Sequence, residues 1–185
     1  MKKVIYWSPI ISSIATKKAV INSAFALTKF SNNYNVTLLN VCGEFNDLKI
    51  SNQNIRIFNL NQNIINMKLK GVGYFRTRLS LIIIFLKSFF PLIKFIKKEN
   101  PDFIIIHMLT SLPLLIFLFL NSKTKCILRI SGLPKLHFFR YVLWKLCSKK
   151  IYKVTCPTIL TKKHLENLKI FTSSQLLTLY DPIFS

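Results

Sequence analysis

The stretch Asn100-Pro101-Asp102-Phe103-Ile104-Ile105-Ile106-His107 indicates the fold of this chain. Its four consecutive apolar residues show no in-out alternation, which is typical of a strand that is buried on both faces of a parallel sheet. Asn, Pro and Asp ahead of the run are turn residues. The pattern therefore predicts a buried parallel strand over residues 103–107 that ends at the polar residue His107.

On both sides of this strand, short apolar runs alternate with longer segments of helical periodicity. The other predicted strands span residues 4–7, 36–41, 55–60, 126–130, 152–156 and 176–180, and the predicted helices span about 12–30, 76–98, 111–121, 135–150 and 158–168. Residues 59–73 are predicted to be a loop, and Pro91 is expected to kink or split its helix. This alternation predicts an α/β fold: one doubly wound domain with a mostly parallel sheet of about seven strands.

The charge is strongly unbalanced, with 27 Lys and Arg against 6 Asp and Glu, a net charge of +21. So basic a surface favours an anionic partner, and nucleic acid, anionic lipid and phosphorylated substrates are the candidates. The scarcity of carboxylates argues against a two-carboxylate hydrolase.

The cysteines are Cys42, Cys126, Cys147 and Cys156. They form no CxxC pair and lack a histidine at ligand spacing, so we expect reduced thiols in a cytosolic protein and no metal site. The longest apolar stretch, residues 79–96, is interrupted by two lysines and a proline. Residues 112–120 are too few to cross a bilayer. Peripheral attachment to a membrane is expected rather than a transmembrane span.

The loop after the first strand, residues 8–13, joins a strand end to a helix N-terminus, where free backbone N–H groups attract anions. Ser12 and Ser13 are candidate ligand-binding residues there, and Lys17 could face a phosphate. The alternatives are a capped helix start without a ligand and a lysine that faces water. The loop has no GxGxxG pattern, which disfavours a nicotinamide or flavin cofactor.

Further candidates follow the fourth and fifth strands, because ligands of such sheets bind at the carboxyl ends of the strands. They are His107, Arg129, Ser131 and Gly132. The alternatives are a histidine satisfied by a backbone carbonyl and a plain turn with a structural ion pair. No residue is assigned a catalytic role.

The predicted helix over residues 135–150 carries Phe139, Leu143 and Leu146 on one stripe, beside several lysines and Arg140. Such a helix can lie on anionic lipid. It can equally be a packed helix with a solvated basic face.

Four stretches taken in order resemble a known family: KKVIYWSPIISSIATKKAVINSAFAL (residues 2–27), NPDFIIIH (100–107), CILRISGLPKL (126–136) and LLTLYDPI (176–183). The series is similar to the N-terminal domain of GT-B retaining glycosyltransferases of the capsular and O-antigen polysaccharide type, family 4-like. Essentially the whole chain takes part in the resemblance.

The resemblance implies a Rossmann-like domain, one half of a GT-B fold, over residues 1–180, with residues 181–185 starting a linker to an absent C-terminal domain. It implies acceptor contacts from Ser12, Ser13, His107 and the turn from Arg129 to Gly132. It also implies a lipid-linked saccharide acceptor at the inner face of the bacterial plasma membrane. The nucleotide-sugar donor would bind the C-terminal domain, so no cofactor is expected here and the chain alone should not transfer sugar.

Three departures qualify the resemblance, and the most important is the absence of the second domain with its pair of glutamates separated by seven residues. Many relatives carry a glycine-rich loop where this chain has Ile10-Ile11-Ser12-Ser13, and many carry a histidine where Ser131-Gly132 stands. The alternatives are a basic module that binds membrane or nucleic acid without enzymatic activity, and a degenerate remnant. Nucleic acid is disfavoured because most phenylalanines fall in apolar runs.

Overall fold

The computed structural model describes residues 1–9, 14–65, 74–134 and 136–180. The strands are β1 (Lys2–Trp7), β2 (Tyr34–Asn40), β3 (Ile55–Asn59), β4 (Phe103–Ile106), β5 (Lys125–Arg129), β6 (Ile151–Cys156) and β7 (Leu176–Thr178). The helices are α1 (Ile14–Lys29), α2 (Gln62–Ile65), α3 (Tyr74–Glu99), α4 (Ser111–Phe119), α5 (Phe138–Cys147) and α6 (Ile159–Asn167).

All seven strands form one parallel sheet in the order β3-β2-β1-β4-β5-β6-β7. This confirms the predicted doubly wound α/β fold. The strand order reverses between β1 and β4, and in such sheets the crevice at the reversal is the usual ligand site.

The sheet is buried because helices cover both of its faces. In β4, Ile104 and Ile106 belong to the core under α3, α4, α5 and α6, while Phe103 and Ile105 pack toward the core under α1. Consecutive residues of a strand point to opposite faces, so a strand covered on both sides must be apolar throughout. This explains why the buried strands are continuous apolar runs in the sequence.

Two local features differ from the sequence prediction. Helix α2 forms within the predicted loop, where Ile64 is fully buried in the core. Helix α3 is not divided at Pro91, since it continues through that residue to Glu99. Proline cannot donate to the carbonyl four residues earlier, which here is that of Lys87. The Asn61 side chain donates to this carbonyl instead, at 2.8 Å.

The starts of helices α5 and α6 can also be compared with the prediction. Helix α5 begins at Phe138, later than predicted, and residues 148–150 continue it as one 3₁₀ turn. Helix α6 begins where predicted, because the Thr158 hydroxyl accepts a hydrogen bond from the Thr161 N–H at 3.1 Å. Such a cap satisfies a backbone donor that lacks a helical partner.

Candidate functional site

A cleft of about 440 Å³ opens at the carboxyl ends of β4 and β5. We call it the carboxyl-edge cleft. Its walls are the residues that follow β4, the turn that follows β5, and the first turns of α5. Four of the seven candidate residues from the sequence line it together: His107, Arg129, Ser131 and Gly132.

His107 stands at the end of β4, where its main-chain N–H donates to the carbonyl of Trp7 at 3.0 Å. Its side chain is buried, and Nε2 has no hydrogen-bond partner among the residues that the structure describes. Burial, and after it the nearby positive charge of Arg129, together lower the pKa of His107 to about 3. The imidazole is therefore neutral at physiological pH, and the residue that carries this unpartnered nitrogen borders the cleft.

Arg129 ends β5 and is only 6 % exposed, although it lies in the wall of the cleft. Its charge acts on the pKa of His107 and also on that of Tyr6. Burial raises the pKa of Tyr6 to about 12, and the Ser23 hydroxyl lies 2.9 Å from the Tyr6 oxygen. Tyr6 is thus neutral at physiological pH.

The turn after β5 is exposed at Ser131 and Gly132. A Cβ added at Gly132 would meet no atom of the described residues within 4 Å. Packing therefore does not require glycine at this position. The absence of a side chain instead leaves the main chain of the turn open to whatever occupies the cleft.

Of the other three candidates, only Lys17 lies in the described part of the chain, and it is not among the residues that line this cleft. Lys17 forms an ion pair with Asp47, in the segment after β2. Ser12 and Ser13 lie outside the residues that the structure describes. The end of β1 nearby does carry polar atoms that are buried and unpartnered within the described part of the chain, Trp7 Nε1 and Ser8 Oγ.

Sequence reasoning missed two residues of the cleft, Arg140 and Trp144. They lie four residues apart in α5 and so share one helix face. The sequence places Arg140 only on the basic side of the predicted helix, which can face either lipid or solvent. The available signal was their spacing directly after the turn that carries Ser131 and Gly132.

Glu44, outside the cleft, is a third residue that sequence reasoning missed. Gly43, at φ +85°, folds the segment after β2 back, so that the Glu44 carboxylate accepts hydrogen bonds from the main-chain N–H of Val41 at 3.1 Å and of Cys42 at 2.5 Å. Burial raises the pKa of Glu44 to about 7, against the lowering effect of these bonds and of Lys17. No pattern in the sequence marks this local geometry.

The chemistry available in the cleft is that of binding. Arg129 and Arg140 bring positive charge, His107 brings a neutral ring nitrogen, and the exposed turn brings main-chain groups. A histidine with a pKa near 3 is a weak general base at neutral pH. Within the described ranges, no three His, Cys, Asp or Glu side chains come together to hold a metal, and the four cysteines are free.

Several solved structures share this fold at low sequence identity. The MurG of Acinetobacter baumannii matches with a TM-score of 0.59 and 14% identity, over 100% of this chain and 46% of its own. The S. aureus MnaA solved with UDP matches with a TM-score of 0.56 and 17% identity, over 96% and 43%. The lipopolysaccharide outer core galactosyltransferase WaaB, in its apo form, matches with a TM-score of 0.57 and 12% identity, over 99% and 46%.

These likenesses establish the fold: the chain has the architecture of one half of GT-B proteins. It spans less than half the length of each of the three structures. No protein-family model and no curated protein matches the sequence.

Proposed function

We propose that this chain is the acceptor-side domain of a glycosyltransferase that moves a sugar from a nucleotide-sugar to a saccharide acceptor. The observation that carries the proposal is the carboxyl-edge cleft, where buried Arg129 and neutral His107 lie at the ends of β5 and β4, beside the reversal of strand order between β1 and β4. The half-length match to larger proteins of the same fold supports it. A donor-binding half would come from further sequence or from a separate chain.

The cleft suits an acceptor that carries both hydroxyls and a negative charge. His107 Nε2 and the Ser131 hydroxyl would hydrogen-bond sugar hydroxyls, and the main chain of Gly132 allows close approach. Arg129 and Arg140 would offset a phosphate, because a guanidinium pairs with phosphate through charge-assisted hydrogen bonds. We therefore propose a lipid-linked, phosphate-bearing saccharide in surface polysaccharide synthesis as the acceptor. The cleft residues are assigned to binding, and none to catalysis.

Acceptor binding can be tested with a short-chain prenyl phosphate sugar, by calorimetry on the 185-residue chain. We expect Arg129→Gln to weaken binding at least tenfold, the loss expected for one charge-assisted hydrogen bond. Arg56→Gln is the matched control, because Arg56 pairs with Glu99 at the opposite edge of the sheet. Equal affinity of Arg129→Gln and the unaltered chain would contradict the assignment of the cleft.

Sugar transfer needs a second test. We expect no turnover when the chain alone meets a nucleotide-sugar and the acceptor, and turnover once a matching donor-binding domain is added. Robust transfer by the isolated chain would refute the proposal that a second, donor-binding domain is required.

One observation favours a second candidate, a binding module for single-stranded nucleic acid. At the amino ends of the strands, the rings of Phe103 and Tyr152 lie 6.3 Å apart, and Lys125 Nζ lies 4.6 Å from the Tyr152 ring centroid. Aromatic rings beside cations are what such modules use. Fluorescence anisotropy with an oligouridine in 150 mM NaCl separates the two. Tight binding that Tyr152→Ala abolishes would favour this candidate over sugar transfer.

A further inference from the structure

Helix α3 presents an apolar stripe to the solvent. Leu79, Ile82, Leu86 and Phe90 recur every three or four residues, which places them along one side of the helix. All four are exposed, from 55 % at Ile82 to 76 % at Phe90. We call these four residues the outer stripe. Ordinary surface leucines occur singly, whereas a contiguous apolar surface marks an interaction site.

The opposite side of α3 fixes the helix to the sheet. Ile84, Leu92 and Ile96 are fully buried in the core that covers β4 and β5. The segment Arg78–Glu99 is long and apolar enough to cross a membrane, yet a third of its most apolar window is buried inside the protein. Crossing a bilayer would strip this helix from the core. A helix that stays packed on the sheet in this way can lie on a membrane surface.

The charges around the outer stripe indicate which kind of partner surface it would bind. Residues 78–98 contain no acidic side chain, and the helix ends with exposed Lys94, Lys97 and Lys98. The first acidic residue, Glu99, is already paired with Arg56. Phe90, Lys94, Lys97 and Lys98 also border one common depression of the surface. Apolar side chains flanked by lysines are what an interfacial helix uses to bind anionic lipid.

We propose that the outer stripe of α3 and its three C-terminal lysines form the surface that docks this protein on an anionic lipid bilayer. The apolar side chains enter the boundary between headgroups and acyl chains, and the lysines contact lipid phosphates. The inference does not depend on the proposed sugar transfer, because it rests on α3 alone.

The docking surface continues toward the carboxyl-edge cleft. A groove of about 210 Å³ runs between α3 and the start of α4, bordered by Ile82, Leu86, Leu109 and Ser111. Leu109 also borders the cleft. A docked molecule would therefore hold the cleft beside the lipid headgroups, within reach of a ligand that is anchored in the bilayer.

The docking surface differs from the one that the sequence indicated. On α5, Phe139 and Leu146 are exposed, but Leu143 packs against the core and breaks the predicted stripe. The exposed pair Phe138 and Phe139 is confined to the first turn of that helix. The outer stripe of α3 covers about three turns and is the better-formed surface.

Co-sedimentation of the full chain with vesicles tests the proposal. We expect binding to phosphatidylcholine vesicles that contain 30% phosphatidylglycerol, and much weaker binding to pure phosphatidylcholine. Leu86→Ser with Phe90→Ser should reduce the affinity at least tenfold. The matched control is Phe30→Ser, because Phe30 is equally exposed, at 78 %, but follows α1 on the other face of the sheet.

A second pair of variants tests whether vesicle binding depends on the lysines. Lys94→Gln with Lys97→Gln should weaken binding about thirtyfold at low salt, at about 1 kcal/mol for each lysine. Lys18→Gln with Lys49→Gln removes the same charge elsewhere and should have much less effect. Circular dichroism and thermal unfolding establish that each variant is folded.

Insertion can be followed with Phe90→Trp, whose fluorescence should be quenched by brominated lipids, unlike that of Phe30→Trp. Several results would overturn the proposal: equal binding by the α3 variant and the unaltered chain, loss of binding only in Phe138→Ser with Phe139→Ser, or resistance to extraction by alkaline carbonate, which would indicate a spanning helix. Loss of self-association without loss of vesicle binding would instead identify the stripe as a contact between two copies.

Discussion

His107 shows how one position in the chain acquires its chemistry from neighbours distant in sequence. The end of a buried strand places it at the sheet edge, and β5 adds Arg129 beside it. Burial and this positive charge both lower the pKa of His107, to about 3. The native protein therefore holds the imidazole neutral over a range in which the unfolded chain binds a proton.

The pH dependence of stability follows from this difference. The pKa of His107 in the folded state lies below the unfolded value of 6.5, so the unfolded chain binds more protons between about pH 3 and pH 6.5. Relative to His107→Gln, the unaltered chain should lose up to about 1.4 kcal/mol of stability for each pH unit as the pH falls below 6.5. Urea denaturation from pH 7 to pH 4.5 measures this. A constant difference between the two proteins would contradict it.

Glu44 should act in the opposite direction. Its pKa is raised from 4.5 to about 7, so the native state binds the extra proton, and stability is lost as the pH rises through this range. Glu44→Gln should remove this loss, so that the variant gains stability relative to the unaltered chain between pH 4.5 and pH 7. Asp47→Asn is the control, because Asp47 is exposed and its pKa is lowered. A difference that does not change with pH would argue against a buried proton on Glu44.

At the scale of elements, the strands could be read from the sequence because they are buried on both faces and hence apolar throughout. Helix α2 could not, since its four residues are held by the burial of Ile64, which only the tertiary structure reveals. The continuity of α3 through Pro91 depends on a side chain thirty residues earlier, that of Asn61.

The residues of the site divide in the same way, into those that the sequence can group and those that only the tertiary structure can place. Strand ends converge on one edge in any parallel sheet, so His107, Arg129, Ser131 and Gly132 could be grouped from the sequence. Lys17 could not be excluded from the group, because its partner Asp47 lies in a different segment. Arg140 and Trp144 enter the cleft through the orientation of α5, and that orientation is set by packing against the core.

The hydrogen bond from Asn61 to the carbonyl of Lys87 allows a double-mutant cycle. Asn61→Ala should destabilise the protein by about 1 kcal/mol, since the carbonyl left free by Pro91 loses its donor. In Pro91→Ala, the new backbone N–H supplies that donor, so a further Asn61→Ala should cost little. Denaturant unfolding of the four proteins gives the coupling. Equal costs in both backgrounds would show that Asn61 does not compensate for the proline.

At the scale of the whole molecule, the charge is the dominant feature. With 27 basic and 6 acidic residues, the positive charges of the folded chain repel one another and lower its stability. Raising the salt concentration from about 0.01 M to about 0.15 M shortens the screening length from about 30 Å to about 8 Å. We expect the melting temperature to rise by several degrees, measured by calorimetry. A melting temperature that falls with salt would indicate that the ion pairs outweigh the repulsion.

The interior position of β1 in the sheet, between β2 and β4, has a consequence for folding during synthesis on the ribosome. β1 pairs with β2 soon after both emerge, but its other edge waits for β4; the Lys3 N–H, for example, donates to the Asp102 carboxylate 99 residues later. At about 5 to 20 residues per second, that edge of the nascent chain stays open for roughly 5 to 20 s. Lys2 and Lys3, at the start of the strand, place charge beside the open edge, a device that discourages pairing with the wrong chain.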